Sequence, residues 1–183
     1  INNNNYGSFG VGTSLPNGMY LVGCVYERKK DIIYLMGSDH SGKVYTYNFI
    51  TKSFTKITRY PDNIKPASNC VDIYDRIIVC IGGGNDKKHL YLFDTLTNEW
   101  IKTFNIHAID FGLGLKCKFI RNSITSSTEL HVIGGHKKPN QYFIWRYSTK
   151  KWIKGPKIPV SLTYHGIVHI KNSKLYKLST VSD

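Results

Sequence analysis

The sequence predicts an all-β protein in which one small unit of strands recurs along the chain, and three observations support this. Only two alanines occur, Ala67 and Ala108, whereas Ile, Val, Thr, Tyr and Phe are abundant, a composition that favours strands over helices. Alternating stretches such as Val44–Tyr47 fit half-buried antiparallel strands. A pattern of apolar strand, glycine turn, aromatic-rich strand and closing aromatic residue appears three times.

The repeat is defined by a constant spacing. The distance from a turn glycine to the closing aromatic residue is 17 residues in each unit: Gly37 to Phe54, Gly83 to Trp100 and Gly135 to Trp152. The same alignment places Tyr45, Tyr91 and Phe143 in register. Matched spacing with matched chemistry indicates a true internal repeat.

Each unit is long enough for four short strands. In the second unit these are predicted near Asn69–Tyr74, Arg76–Ile81, His89–Asp94 and Trp100–Phe104. The Gly82–Gly83 pair allows a turn with positive φ. Because a four-stranded sheet with two apolar faces must be covered on both, the units are expected to stack radially as a β-propeller, the closing aromatic residues filling the wedges.

The domain boundaries follow from the repeat. Residues 1–17 form an Asn-rich segment that carries no repeat signal, and the repeats cover about residues 20–60, 66–107, 112–158 and, in part, 163–183. Three and a half units do not close a ring. We therefore expect either a longer parent chain or a second copy of this chain to complete it.

The repeat resembles the kelch motif, whose marks are a diglycine after an apolar strand, a Tyr further on and a closing Trp. These marks are Gly82–Gly83 with Tyr91 and Trp100 in the second unit, and Gly134–Gly135 with Trp152 in the third. The first unit departs from the pattern, with Met36–Gly37 for the diglycine and Phe54 for the Trp. A WD-repeat propeller is the alternative fold, but its Gly-His and Trp-Asp signatures are absent in register.

The resemblance to kelch proteins implies a binding surface on one rim of the propeller. Two sets of loops would form it, one after each glycine turn and one before each inner strand. Those loops contain Ser38, Asp39, His40, Ser68, Asn69, Asn85, Asp86, Lys116, His136, Lys137, Tyr164 and His165. Lys116, Lys137 and Lys138 make the rim basic, which suits an acidic peptide. Asp72, Asp75 and Asp94 are interpreted as turn or strand-edge residues.

The resemblance thus favours a non-enzymatic protein-interaction module, either the substrate-recruiting part of a ubiquitin ligase adaptor or a cytoskeletal scaffold. One alternative is an enzyme on a propeller scaffold that uses a metal held by rim histidines such as His40 and His136. However, the sequence contains no nucleophile elbow, His-Glu-x-x-His or phosphate-binding loop. The prediction is therefore no catalytic residue, no metal and no cofactor.

The net charge of +13 introduces a second alternative, a domain that binds polyanions. Only five of the 25 basic residues are Arg, the residue that best makes bidentate contacts with phosphate or guanine. The lysines are scattered singly or in pairs. These features favour a solubilising surface and argue against nucleic acid as the partner.

The cysteines and the absence of targeting signals predict an intracellular, cytoplasmic protein. Cys24, Cys70 and Cys117 are 46 and 47 residues apart, which suggests one buried position of the inner strand repeated three times, with reduced thiols. No C-x-x-C motif, secretory signal or apolar run of membrane-spanning length occurs.

Overall fold

A computed structural model describes most of the repeat region. It describes residues 14–15, 23–37, 42–61, 70–81, 89–105, 112, 114–121, 126–163, 166–170 and 174–178. Within these ranges the chain forms strands and turns, and no α-helix occurs. No helix in this part of the chain is therefore long and apolar enough to cross a lipid bilayer.

The strands follow one another in short antiparallel hairpins. Their bounds are β1 Gly23–Glu27, β2 Ile32–Met36, β3 Lys43–Asn48, β4 Ser53–Arg59, β5 Cys70–Tyr74, β6 Ile77–Ile81, β7 His89–Asp94, β8 Glu99–Asn105, β9 Lys116–Arg121, β10 Thr128–Ile133, β11 Tyr142–Arg146, β12 Lys151–Lys154, β13 Gly166–Ile170 and β14 Lys174–Leu178.

These strands form three four-stranded sheets and one two-stranded sheet. Sheet 1 has the order β1-β2-β3-β4, sheet 2 the order β5-β6-β7-β8, sheet 3 the order β9-β10-β11-β12, and β13 pairs with β14. Every pairing is antiparallel. The predicted all-β class and the four-stranded unit are confirmed, and the strands of the second unit lie within one residue of their predicted limits.

The sheets are stacked face to face like blades. The first strands are neighbours, with β1 against β5, β5 against β9 and β9 against β13. Between sheets 1 and 2 lies a buried core that we call the first junction, which includes Tyr34, Met36, Ile78, Cys80 and Phe93. Between sheets 2 and 3 lies the second junction, which includes Val79, Ile81, Leu130, Val132 and Trp145. Burial of these apolar faces is the main force that holds the sheets together.

The repeat is visible in the backbone angles of the turn before the last strand of each sheet. Lys52, Asn98 and Lys150 have φ values of 52°, 58° and 53°. Each lies two residues before the closing aromatic residue of its unit. All three turns therefore have a residue with left-handed backbone angles at the same place, which shows that the sequence repeat is also a structural repeat.

The closing aromatic residue of the second unit fills the wedge between sheets, as predicted. The indole ring of Trp100 lies 4.4 Å from the ring of Tyr60, centroid to centroid, and its Nε1 donates a hydrogen bond of 2.7 Å to the Arg59 carbonyl oxygen of sheet 1. In the third unit the ring of Trp152 packs on that of Trp145 at 5.3 Å. Phe54, the closing residue of the first unit, packs on Tyr47 at 4.8 Å.

The glycine turn of the first unit differs from its prediction. Met36 pairs with Val44, leaving seven residues between them, whereas eight residues separate the paired Ile133 and Tyr142 of the third unit. Gly37 directly follows the paired residue Met36, as Gly134 directly follows the paired residue Ile133. Gly37 therefore corresponds to the first glycine of the third-unit pair, Gly134. Met36 belongs to the strand, so interpreting Met36–Gly37 as a diglycine equivalent is wrong, and the first loop is one residue shorter.

The cysteines do not occupy one repeated position. Cys24 and Cys117 lie at the level of the aligned aromatic residues Tyr45 and Phe143. Cys70 lies one residue away from the corresponding level of Tyr91. Equal spacing in sequence therefore did not produce equal positions in the strand register.

The thiols also differ in state. Cys24 is a free, exposed thiol, Cys80 is a free thiol that is fully buried, and Cys117 is disulfide-bonded. The expectation of buried, reduced cysteines on the inner strand is thus wrong for Cys24 and Cys117. The cellular location, which rested partly on reduced thiols, stays a prediction.

Candidate functional site

The predicted binding surface is described best at sheet 3, where two loops meet. Lys116 begins β9 and pairs with Ile133, the last residue of β10, so it lies at the sheet end from which the loop 134–141 departs. A Cβ atom placed on Gly112 would lie 3.2 Å from the backbone nitrogen of Lys137 and 3.5 Å from Cβ of His136. The segment before the inner strand therefore approaches the loop after the glycine turn. We call Gly112, Lys116, His136, Lys137 and Lys138 the rim of sheet 3.

Backbone hydrogen bonds hold the loop 134–141 in place. Gly134 N donates to Gln141 O at 3.0 Å and closes the base of the loop. Gly135 N donates to Leu162 O at 3.0 Å, and Leu162 N donates to Pro139 O at 2.7 Å. Leu162 is itself only 5% exposed. A fixed loop with the exposed side chains of His136 and Lys137 is a typical arrangement for a recognition surface.

The two glycines of this loop have the backbone that the diglycine pattern predicts. Gly134 and Gly135 have φ values of 67° and 104°, and Gly37 has a φ of 105°. A side chain is strained in this region, so glycine is required to reverse the chain at this point. The corresponding pair of the second unit, Gly82–Gly83, lies outside the described residues.

A shallow cavity of about 280 Å³ adjoins the rim of sheet 3. It is lined by Asn140, Gln141, Lys154, Gly155 and Lys157. Gly155 is necessary here because a Cβ atom at this position would lie 2.3 Å from Cδ1 of the Tyr142 ring. The cavity adds two exposed lysines to the basic groups at this end of the sheet.

Ion pairs of the described residues are concentrated at the opposite end of the sheets. At that end, where the first strand turns into the second, four basic side chains have acidic partners, with Nζ or Nε to oxygen distances of 2.7 to 3.3 Å: Lys29 with Asp75, Lys30 with Glu27, Arg76 with Asp94, and Arg146 with Glu129. Arg28, Lys150 and Lys151 at the same end make no ion pair with any described residue. At the rim, the side chains of Lys116, His136 and Lys138 make no ion pair with any described residue. The rim of sheet 3 therefore carries positive charge that the described residues do not neutralise.

Asp72 is not the edge residue that the sequence suggested. It lies within β5 and is 4% exposed. One carboxylate oxygen accepts a hydrogen bond from Lys118 Nζ at 2.7 Å, and the other accepts from the backbone nitrogen of Phe119 at 2.6 Å. Asp72 thus links β5 of sheet 2 to β9 of sheet 3. These two contacts supply the partners that a buried carboxylate requires. Asp75 and Asp94 lie at a turn and at a strand end, as predicted.

A buried polar cluster on sheet 3 was not predicted from the sequence. His131 Nδ1 is hydrogen-bonded to the Tyr142 hydroxyl, and His131 Nε2 lies 3.6 Å from Glu129 Oε2. Arg146 Nε donates to Glu129 Oε1 at 2.7 Å. Burial, followed by the nearby Glu129 charge, raises the pKa of Tyr142 to about 12, so its hydroxyl stays protonated at neutral pH. The pairing Glu129↔Arg146 is the one signal that could have revealed this cluster, because it places opposite charges on adjacent strands.

Most of the predicted rim residues lie outside the described part of the chain. Lys116, His136 and Lys137 are described and are brought together at sheet 3. No structural statement applies to the remaining predicted residues, which are Ser38, Asp39, His40, Ser68, Asn69, Asn85, Asp86, Tyr164 and His165. Within the described ranges, no three His, Cys, Asp or Glu side chains lie close enough together to hold a metal ion.

The chain was compared with known families, curated proteins and solved structures. No family model matches it, and no curated protein matches it. Its fold is similar to that of YjhT, a protein of solved structure, with a TM-score of 0.62 and 16% sequence identity. The match covers 82% of this chain but 56% of YjhT, so the chain spans little more than half the length of that protein. At this level of identity the similarity concerns the fold alone.

Proposed function

We propose that this chain is part of a kelch-type β-propeller that acts as a non-enzymatic protein-interaction module. The blade-like sheets with adjacent first strands support the propeller. The diglycine and closing Trp of the third unit support the kelch type. The site it offers is the rim of sheet 3, and the partner is a protein or peptide segment rich in Asp and Glu.

The observation that carries this proposal is the charge difference between the two ends of the sheets. Every acidic side chain that forms an ion pair among the described residues lies away from the rim, and Lys116 and Lys138 make no ion pair with any described residue. An acidic segment would supply the missing partners and would be attracted from a distance. Asp39 and Asp86 belong to loops outside the described residues, so the basic site is assigned to sheet 3 only.

A further sheet is expected to cover sheet 1. The face of sheet 1 opposite the first junction carries an aromatic group in which Tyr26 and Phe49 are 46% and 43% exposed. Tyr47 links Phe49 to Phe54 through ring contacts of 5.2 and 4.8 Å. The equivalent closing residue Trp100 packs against a preceding sheet. We propose that a longer parent chain or a second copy supplies that sheet, and that the complete propeller works as an adaptor or a scaffold.

The experiment selects peptides from a random displayed library on the immobilised chain and measures their affinities. We expect acid-rich sequences to be selected. The double variant with Lys116→Glu and Lys137→Glu should weaken them about 3- to 30-fold, the range expected for two exposed charge contacts. The matched control is Lys151→Glu, which makes the same change of charge at one site. Lys151 is exposed and begins β12, at the end of sheet 3 opposite the rim.

The outcomes separate the proposed functions. Equal losses per charge in the control and the rim variants would show that net charge, not the rim, determines binding. Selection without enrichment of Asp and Glu would refute the acidic partner. Heparin binding that falls steeply between about 50 and 200 mM salt, and exceeds that of the selected peptides, would favour the polyanion alternative.

A further inference from the structure

The shallow cavity beside the loop 134–141 has the composition of an anion site. Its volume is about 280 Å³, and its lining consists of Asn140, Gln141, Lys154, Gly155 and Lys157. No described Asp or Glu side chain is among these residues. Small-molecule sites are mostly apolar and have volumes of roughly 300 to 1,000 Å³. A polar cavity just below that range, with two lysines in its lining, therefore fits a single anionic group and not a large ligand.

Two backbone segments that are hydrogen-bonded to each other carry the lining residues. Gly155 N donates to Tyr142 O at 2.8 Å, and Ile158 N donates to Asn140 O at 2.9 Å. These bonds continue the antiparallel pairing of β11 with β12 beyond the last pair of the two strands. The backbone on both sides of the cavity is therefore fixed.

The ring of Tyr142 supports one of these segments. A Cβ atom on Gly155 would lie 2.3 Å from Cδ1 of that ring, so the glycine backbone passes close against it. The Tyr142 hydroxyl is hydrogen-bonded to His131, and the two rings stack with their centroids 5.6 Å apart. The cavity is thus formed before any ligand binds, which reduces the entropic cost of binding.

The lining offers hydrogen-bond donors that no described residue uses. Lys154 and Lys157 are exposed and make no ion pair with any described residue. The side-chain amides of Asn140 and Gln141 are half-buried and make no hydrogen bond within the described part of the chain. Two ammonium groups and two amide NH₂ groups can together donate to several oxygen atoms of one anion.

The charge and the donors of the cavity favour phosphate over carboxylate. A phosphate monoester carries about −1.5 to −2 charges at pH 7 and three acceptor oxygens, whereas a carboxylate carries one charge and two oxygens. Lysine binds phosphate as a point charge, so a guanidinium group is not required. Gln141 N donates to Lys138 O at 3.1 Å, so the cavity and the rim of sheet 3 share one turn of the loop. An acidic segment bound at the rim is therefore able to extend into the cavity.

We propose that this cavity binds the phosphate group of a phosphorylated serine or threonine in the acidic segment that the rim recognises. Lys154 and Lys157 supply the positive charge, and the amides of Asn140 and Gln141 donate to the remaining oxygen atoms. The peptide part of this inference rests on the proposed function, whereas the phosphate site rests on the cavity itself. Phosphorylation of the partner adds a contact that the unmodified partner lacks.

The test compares the affinities of one labelled peptide, Glu-Glu-Gly-Ser-Gly-Glu-Glu, in its unmodified and its phosphoserine forms, by fluorescence anisotropy with the intact chain. We expect the phosphorylated form to bind about 10-fold more tightly, the gain expected for a few charge-assisted contacts at an exposed site. The double variant with Lys154→Ala and Lys157→Ala should reduce this gain to less than about 2-fold. The matched control, Lys150→Ala with Lys151→Ala, removes two exposed lysines at the opposite end of the same sheet and should keep the gain.

A second measurement probes the phosphate site without a peptide. Inorganic phosphate at millimolar concentration should shift the side-chain amide resonances of Asn140 and Gln141, and chloride at the same ionic strength should not. The phosphate site is overturned if phosphate shifts other resonances instead, or if the control double variant loses the gain as fully as Lys154→Ala with Lys157→Ala.

Failure of the proposed function gives a different result from failure of the phosphate site. If neither form of the peptide binds but phosphate shifts the two amides, the rim function is refuted and the phosphate site is supported. If both forms bind equally and the rim variant with Lys116→Glu and Lys137→Glu weakens both, the rim function is supported and the phosphate site is refuted.

Discussion

Trp100 is expected to be a major energetic contact between sheets 1 and 2. Its ring lies 4.4 Å from Tyr60 and 5.2 Å from Phe93, and its Nε1 donates a hydrogen bond to sheet 1. Truncating a large buried aromatic residue costs about 3–5 kcal/mol, and a typical hydrogen bond contributes about 1 kcal/mol of stability. Because Trp100 is only partly buried, we expect Trp100→Ala to lower the free energy of unfolding by about 3 kcal/mol.

Two variants separate the contributions to this value. Trp100→Phe keeps a ring against Tyr60 but removes the hydrogen bond to Arg59, so it should cost about 1–2 kcal/mol. Phe54→Ala removes the closing residue of sheet 1, which packs on Tyr47 and is partly buried, and should cost about 1 kcal/mol.

The assay is equilibrium unfolding in urea, followed by far-ultraviolet circular dichroism because the variants alter tryptophan fluorescence. The free energies are obtained by linear extrapolation. A loss below about 1.5 kcal/mol for Trp100→Ala would refute the reasoning. So would a loss no larger than that of Phe54→Ala, since the two closing residues would then be equivalent despite their different neighbours.

Other predictions follow from single contacts. Gly155→Ala should cost about 1–3 kcal/mol in thermal unfolding, because its Cβ would lie 2.3 Å from the Tyr142 ring, and an unchanged melting temperature would contradict this. A maleimide should label Cys24 and leave Cys80 unlabelled until urea is added, as read by mass spectrometry. Burial raises the pKa of Cys80 to about 12 from 9.0. The buried thiol therefore stabilises the folded chain fully below pH 9, and this stabilisation is lost as the pH rises toward 12, by about 1.4 kcal/mol per pH unit. The free energy of unfolding of Cys80→Val should consequently fall less steeply at alkaline pH than that of the unaltered chain. Asp72→Asn should cost about 1–3 kcal/mol in urea unfolding by weakening the link to sheet 3, and a neutral result would show that the link is not needed.

The strand order was predictable because its signals are local. Period-two alternation, turn residues and the 17-residue spacing all act within one unit of the chain. They placed Trp100 and Trp152 correctly as the closing residues of their sheets, and Trp100 in the wedge between two sheets. The meeting of Lys116 with the loop of His136 at one sheet end was implied by the resemblance to kelch proteins and not by local patterns.

Features that depend on exact register or on a neighbouring sheet were not predictable. Because the first loop is shorter by one residue, Gly37 corresponds to Gly134 and not to Gly135. A similar shift of one residue in strand register separates Cys70 from Cys24 and Cys117. Asp72 could not be recognised as a link between sheets, because its partners lie 46 and 47 residues further along the chain. Nothing in the local pattern around Asp72 distinguishes a buried carboxylate from an edge residue.

The two junctions illustrate why a repeat must be compared with itself. Tyr34 of sheet 1 and Val79 of sheet 2 are each the third residue of the second strand of their sheet, and both are buried, at 2% and 0% exposed. The turns beside them differ, because four residues lie between β1 and β2 and two between β5 and β6. The same position of the repeat is therefore filled by an aromatic ring in one junction and by an aliphatic side chain in the other. Alignment on the glycine turns alone does not distinguish these two kinds of packing.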